Sequence, residues 1–149
     1  MIILELREFT KSDYEAALAL WKRCEGIGLS EADTPCAIQG FLERNPGLSF
    51  VAVMDAQVVG TTLCGQDGRR GYLYHLAVDP KYRRQGLGKQ LMQASLVGLK
   101  SLGIQKCHIM VYRNNESGKT FWQRLGWKLR SDIDLLSYDV DIAGESCSC

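Results

Sequence analysis

The chain has almost no net charge, with 18 lysines and arginines against 17 aspartates and glutamates over 149 residues, a formal balance of +1. No global field draws it to nucleic acid or to an anionic membrane, so any anion site has to be local. It also lacks an apolar run of membrane length, and its start, Met1-Ile2-Ile3-Leu4-Glu5, has no basic flank ahead of an apolar stretch. Neither a membrane span nor a signal peptide is therefore expected, and a cytoplasmic location is. The spacing of a zinc site is missing as well. Cys24, Cys36, Cys64 and Cys107 are scattered through apolar segments, where cysteine behaves as a small hydrophobe, and they are expected as buried free thiols. Cys147-Ser148-Cys149 is too short and too isolated to supply four ligands, and no metal is expected.

What remains is the composition of a globular domain, 46% apolar and 23% charged, at a length that buries roughly two thirds of the surface its unfolded form exposes. One domain is expected over 1–140, followed by a small, polar, mobile tail at 141–149. Ile2 to Glu8 reads as a strand. Tyr14, Ala17, Leu18, Trp21 and Cys24 then share one apolar helical stripe, and Trp21 reads as core. Thr34-Pro35 reads as the cap and first residue of a second helix that runs to about Arg44. From Leu48 two apolar runs flank Asp55-Ala56-Gln57 as an antiparallel hairpin, and Tyr72 to Val78 forms the next strand, stopped by Asp79-Pro80. Leu87, Leu91, Ala94, Gly98 and Leu102 mark a long helix, ended by Gly103. A strand from Cys107 to Tyr112, a short helix from Asn115 to Leu125, and strands at Trp127 to Arg130 and Leu135 to Val140 complete the chain. The expectation is an α/β fold of the α+β type. Its order is β-α-α-β-β-β-α-β-α-β-β, with a mixed, mostly antiparallel sheet of six to seven strands flanked by about four helices.

The segment Arg83-Arg84-Gln85-Gly86-Leu87-Gly88-Lys89 stands between a strand and a long helix. The first turn of a helix leaves N–H groups without intrahelical partners, and the helix dipole adds roughly half a positive charge there. Glycines at 86 and 88 let an anion approach the backbone, while Arg83, Arg84 and Lys89 can add charge-assisted bonds. A Walker A loop is excluded because Gly88-Lys89 is followed by Gln90, and a Rossmann fingerprint because Leu91 stands where a third glycine is needed. The aromatic residues do not cluster with Lys81 to Lys89, so the run is not read as a nucleic-acid surface.

Leu76-Ala77-Val78-Asp79-Pro80, followed by Arg83-x-x-Gly86-x-Gly88, resembles the coenzyme A motif of the GNAT superfamily of N-acetyltransferases. A second motif of that family resembles Asn115, Phe121, Trp122 and Leu125-Gly126-Trp127, and the likeness covers roughly residues 48 to 130. The resemblance implies an acetyl-CoA-dependent N-acetyltransferase acting on a primary amine of a small molecule or peptide. The amine would attack the thioester directly in a ternary complex. The backbone of Leu76, Ala77 and Val78 would then pair with the pantetheine arm, Arg83, Arg84, Gln85, Gly86, Leu87, Gly88 and Lys89 would cradle the pyrophosphate, and Asn115 and Trp122 would line the coenzyme site. A homodimer follows from family habit alone.

Two departures from the family pattern stand out. Where many members carry a tyrosine that protonates the leaving sulfur, this chain has Trp122, whose indole cannot release a proton at useful pH. An alkyl thiol has a pKa of about 8.5, so the leaving group needs little help, and Tyr112, Tyr138 or water can stand in. Where one branch carries a glutamate base this chain has Met110. His75, beside Leu76 on the strand, is the candidate base, because an imidazole exchanges protons near neutral pH; the alternative is a hydrogen-bonded sheet histidine. Glu25, Glu31 and Asp33 lie near the connection between the first two helices, where they either hold a cationic amine or form a solvated loop. The alternative function is a coenzyme A binding or sensing domain with little transferase activity.

Overall fold

The computed structural model describes residues 4–140, and the chain divides into two compact units, Met1–Met110 and Val111–Cys149. The tail expected at 141–149 and the first residues of the expected first strand lie outside the described residues.

In the first unit the chain forms β1 (Glu5–Glu8), α1 (Tyr14–Arg23), α2 (Pro35–Arg44), β2 (Phe50–Met54), β3 (Gln57–Gln66), β4 (Gly71–Val78), α3 (Leu87–Ser101) and β5 (Cys107–Ile109). The strands lie in the order β1-β2-β3-β4-β5, antiparallel up to β4, with β5 parallel to β4. Parallel neighbours need a crossover connection, and α3 supplies it. The β2–β3 hairpin closes through Asp55 and Ala56 at φ 51° and 60°, a left-handed pair whose twist matches that of the strands it joins.

Strand alternation divides the core between the two faces of the sheet. Val51 packs with Phe9, Tyr14, Leu20 and Trp21, whereas its neighbour Ala52 packs with Val59, Leu87 and Leu91. The first cluster is closed by α1 and α2, the second by α3. Burial of each large apolar side chain contributes about 1.5–3 kcal/mol, so the predicted α1 stripe, extended by Leu20, anchors that helix. Helix α3 approaches the β2 side closely: a Cβ on Gly98 would lie 2.7 Å from Leu48 Cδ2 and 3.0 Å from the Gly47 carbonyl oxygen. The predicted cap of α2 forms, with Thr34 Oγ1 accepting from the Ala37 N–H at 3.2 Å.

The second unit contains α4 (Glu116–Arg124), which ends with Gly126 at φ 95°. There the Gly126 N–H donates to the Gln123 carbonyl and the Trp127 N–H to the Trp122 carbonyl, which is a Schellman stop.

Three expectations are corrected. The sheet has five strands among the described residues, not six to seven, because Trp127 to Arg130 and Leu135 to Val140 form none. Strand propensity is local, but a strand exists only where a neighbour takes up its N–H and C=O groups, and no ladder includes this segment. Leu135, Leu136, Tyr138 and Val140 are correspondingly exposed. The strand expected from Cys107 to Tyr112 stops at Ile109. Cys36, half-buried at the head of α2, is disulfide-bonded rather than a free thiol, whereas Cys24, Cys64 and Cys107 are free. A half-exposed helix start does not shield a thiol as the sheet shields Cys64. Among the described residues no helix is long and apolar enough to cross a membrane.

Candidate functional site

Beyond β4 the chain turns through Pro80–Tyr82, held by the Asp79 carboxylate, which accepts from the Lys81 N–H at 3.0 Å and pairs with Arg23 at 2.9 Å. The Lys81 N–H, together with Arg23, holds the Asp79 carboxyl below the usual range against the opposing effect of burial. The next residues alternate in hand, with Arg84 at φ 65° and Gly86 at φ 78°. Successive N–H groups in such a turn form an anion-binding concavity. Gly86 stands at the N-cap of α3 and brings no side-chain oxygen to the helix start, whereas α2 and α4 are capped by Thr34 and Asn115. The first amides of α3 are thus left to an external acceptor. Leu87 is buried against the α3 face of the sheet and fixes this helix start, while Arg84, Gln85 and Lys89 are exposed around it. Arg83, exposed as well, donates from Nε to the Val78 carbonyl at 3.1 Å, and the Cys24 thiol contacts the same oxygen at 3.6 Å.

His75 sits where β4 bulges. Thr61 faces Ala77 and Leu63 faces Tyr74, so His75 and Leu76 together oppose the single residue Thr62. His75 has φ 47°, a left-handed conformation that costs a non-glycine residue on the order of 1–3 kcal/mol and persists only where its surroundings impose it. Its carbonyl accepts from Thr61 Oγ1 at 2.9 Å, and that hydroxyl in turn accepts from Trp21 Nε1 at 2.9 Å. The imidazole lies against the Trp21 ring, centroids 4.7 Å apart. Its Nε2 is 2.6 Å from Asp33 Oδ1, with the two side chains only 14% and 10% exposed.

Asp33 closes the 3-10 turn Glu31–Asp33, where its Oδ2 accepts from the Ser30 N–H at 2.9 Å and its carbonyl accepts from Tyr14 Oη at 2.6 Å. A buried carboxylate is tolerated when its oxygens are bonded in this way. Of the three acids expected near this connection, Glu25 and Glu31 are solvated and Asp33 is not.

The remaining residues belong to the second unit. Asn115 caps α4, its Oδ1 accepting from the Gly118 N–H at 3.0 Å, and Trp122 is buried with its ring 5.0 Å from that of Trp127. Tyr112 is 61% exposed.

The structure therefore brings Leu76, Ala77, Val78 and the Arg83–Lys89 loop together in one unit with His75. Sequence reasoning missed the partners of His75. The apolar stripe marks Trp21 as core alone, nothing in the sequence marks Thr61, and Asp33 reads as an amine holder or a loop charge. One local signal was available, the Ser30-x-x-Asp33 spacing of a capping box, which marks that acid as held rather than free.

A model of the acetyltransferase (GNAT) family matches residues 6–127. An acetyltransferase of Pectobacterium atrosepticum is 31% identical over 132 residues, covering 89% of this chain and 93% of the relative. Among solved structures, the PaiA N-acetyltransferase of Thermoplasma acidophilum in complex with coenzyme A is similar with a TM-score of 0.78 at 21% identity, over 89% of this chain and 93% of that one. The aminoglycoside acetyltransferase AAC(6')-Iy, bound to a bisubstrate analogue, has a TM-score of 0.73 at 18% identity, over 93% of this chain and 99% of that one.

Proposed function

Because the chain belongs to the acetyltransferase (GNAT) family, we propose that it transfers the acetyl group of acetyl-CoA to a primary amine of a small molecule or peptide. The observation that carries this reading is the start of α3, where Arg84 and Gly86 turn left-handed and no side chain caps the helix. Those amides, with Arg84 and Lys89 around them, suit a pyrophosphate. Leu76 and Val78 at the bulged end of β4 are the backbone positions for the pantetheine arm. Asn115 and Trp122 are assigned to the coenzyme as well, and Tyr112 to the leaving sulfur.

His75 is the proposed general base. The acceptor reaches the enzyme as an ammonium, loses a proton to the imidazole, and the freed electron pair forms the C–N bond as the C–S bond breaks. The departing thiolate takes its proton from Tyr112 or water. A sensing domain would have no use for a base, and the buried contact between His75 and Asp33 favours the enzyme.

Release of coenzyme A from acetyl-CoA, followed with spermidine, kanamycin and an alanyl tripeptide as acceptors, tests the activity. Turnover with at least one of these amines is expected. Tight acetyl-CoA binding without acetylation of any amine would favour the sensor. His75→Ala is expected to lower turnover by at least about tenfold with little change in coenzyme affinity.

A further inference from the structure

Asp33 and His75 come from different elements, the connection between α1 and α2 and the bulge of β4, and meet at 2.6 Å. We propose that Asp33 is a positioning residue that holds His75 as the Nε2–H tautomer and so leaves Nδ1 as the ring's proton acceptor. This rests on the acetyltransferase reading, in which His75 takes the proton of the acceptor ammonium.

A neutral imidazole has one nitrogen that donates and one that accepts, and a carboxylate can only accept. The contact with Asp33 Oδ1 therefore places the hydrogen on Nε2. Nδ1 keeps its lone pair and has no hydrogen-bond partner among the described residues. Neither partner is free to turn away. The imidazole is packed on Trp21 and its carbonyl is tied through Thr61, while Asp33 is fixed by the Ser30 N–H and by Tyr14 Oη. When Nδ1 takes the ammonium proton, the imidazolium formed faces the Asp33 carboxylate. The proton passes from nitrogen to Nδ1 and then to solvent. This is the logic by which a third group orients a base in hydrolytic triads.

The same geometry predicts what an isosteric change does. In Asp33→Asn the Ser30 N–H still needs an acceptor, so the amide oxygen takes the place of Oδ2 and the amide NH2 faces Nε2. Nε2 must then accept, and the hydrogen moves to Nδ1, which is closed to the substrate.

The chain has two histidines, His75 and His108, so nitrogen-15 NMR of imidazole-labelled protein, with His75→Gln for assignment, reads the tautomer directly. The expected result is Nε2–H in the unsubstituted protein and Nδ1–H in Asp33→Asn. With whichever of spermidine, kanamycin and the alanyl tripeptide is acetylated, kcat should fall about a hundredfold or more in Asp33→Asn. The dissociation constant for acetyl-CoA should stay within about twofold, which also establishes that the variant folds. An Nδ1–H ring or a doubly protonated ring in the unsubstituted protein at neutral pH overturns the proposal, as does an unchanged tautomer or an unchanged kcat in the variant. The spectrum of the unsubstituted protein decides the case even if Asp33→Asn does not fold. Absence of turnover on any amine counts against the acetyltransferase reading, and the tautomer still decides the role of Asp33.

Discussion

The indole Nε1–H of Trp21 donates to Thr61 Oγ1 at 2.9 Å, and that hydroxyl donates onward to the His75 carbonyl at 2.9 Å. One side chain thereby satisfies a buried donor on α1 and a half-buried acceptor at the β4 bulge. Thr61→Val keeps the shape but removes both bonds, leaving the indole N–H without a partner. An orphaned buried donor costs about 1–3 kcal/mol, so thermal unfolding should fall by about 2–4 °C for each kcal/mol in a chain of this size. Thr61→Ser should recover most of the loss. If Thr61→Val melts with the unsubstituted protein, the hydroxyl is not what ties α1 to the bulge.

Arg84 and Gly86 share the left-handed region but differ in what each stands to lose. Gly86→Ala puts a Cβ on a residue at φ 78° and should destabilise by roughly 1 kcal/mol while weakening coenzyme A binding. Arg84→Gly removes the strain of a non-glycine residue at φ 65°, so it should be at least as stable as the unsubstituted protein. If Arg84 holds the pyrophosphate as proposed, the variant should still bind coenzyme A about tenfold more weakly, because a charge-assisted contact is lost. Calorimetric titration and melting curves together separate the two. Parallel losses of stability in both variants would contradict this account.

Much of this arrangement was legible from local chemistry. The Gly86-x-Gly88 start of α3, the Thr34-Pro35 cap and the Asp55-Ala56 hairpin each depend on residues within a few positions of one another, and each forms. The bulge was not legible, since a left-handed residue is usually flagged by glycine or asparagine and here it is His75. Nor was its partner, because Asp33 lies 42 positions away and meets it only after α1 and α2 pack on the sheet. The last two strands failed for the opposite reason. Leu135 to Val140 has the composition of a strand, but composition cannot show whether a neighbouring edge is there to pair with.

Thr62, opposite the bulge, is fully buried, and its Oγ1 has no hydrogen-bond partner among the described residues. Valine has nearly the same shape and suits a strand, so Thr62→Val removes a desolvated hydroxyl without opening a cavity. A gain of about 1 kcal/mol is expected, read as a rise of about 2–4 °C in melting temperature. A lower melting temperature would mean that the hydroxyl is bonded after all.

Asp13 is one carboxylate that makes stability depend on pH. Burial on its own would raise its carboxyl, but two bonds from Arg7 at 2.8 Å and one from the Thr10 N–H at 2.9 Å outweigh burial and hold it below the ordinary range. Its folded-state pKa therefore lies under the unfolded value of about 3.9, and the unfolded chain binds more protons between the two. The stabilisation is complete above the unfolded value and is lost as pH falls through the folded one. Asp13→Asn should thus destabilise at pH 7 by about 1–2 kcal/mol, a modest figure because the Arg7 side chain is 38% exposed and partly screened. Urea midpoints of the two proteins should draw together as pH is lowered past about 4. A gap that stays constant through acid pH would show that Asp13 acts through shape and not through its charge.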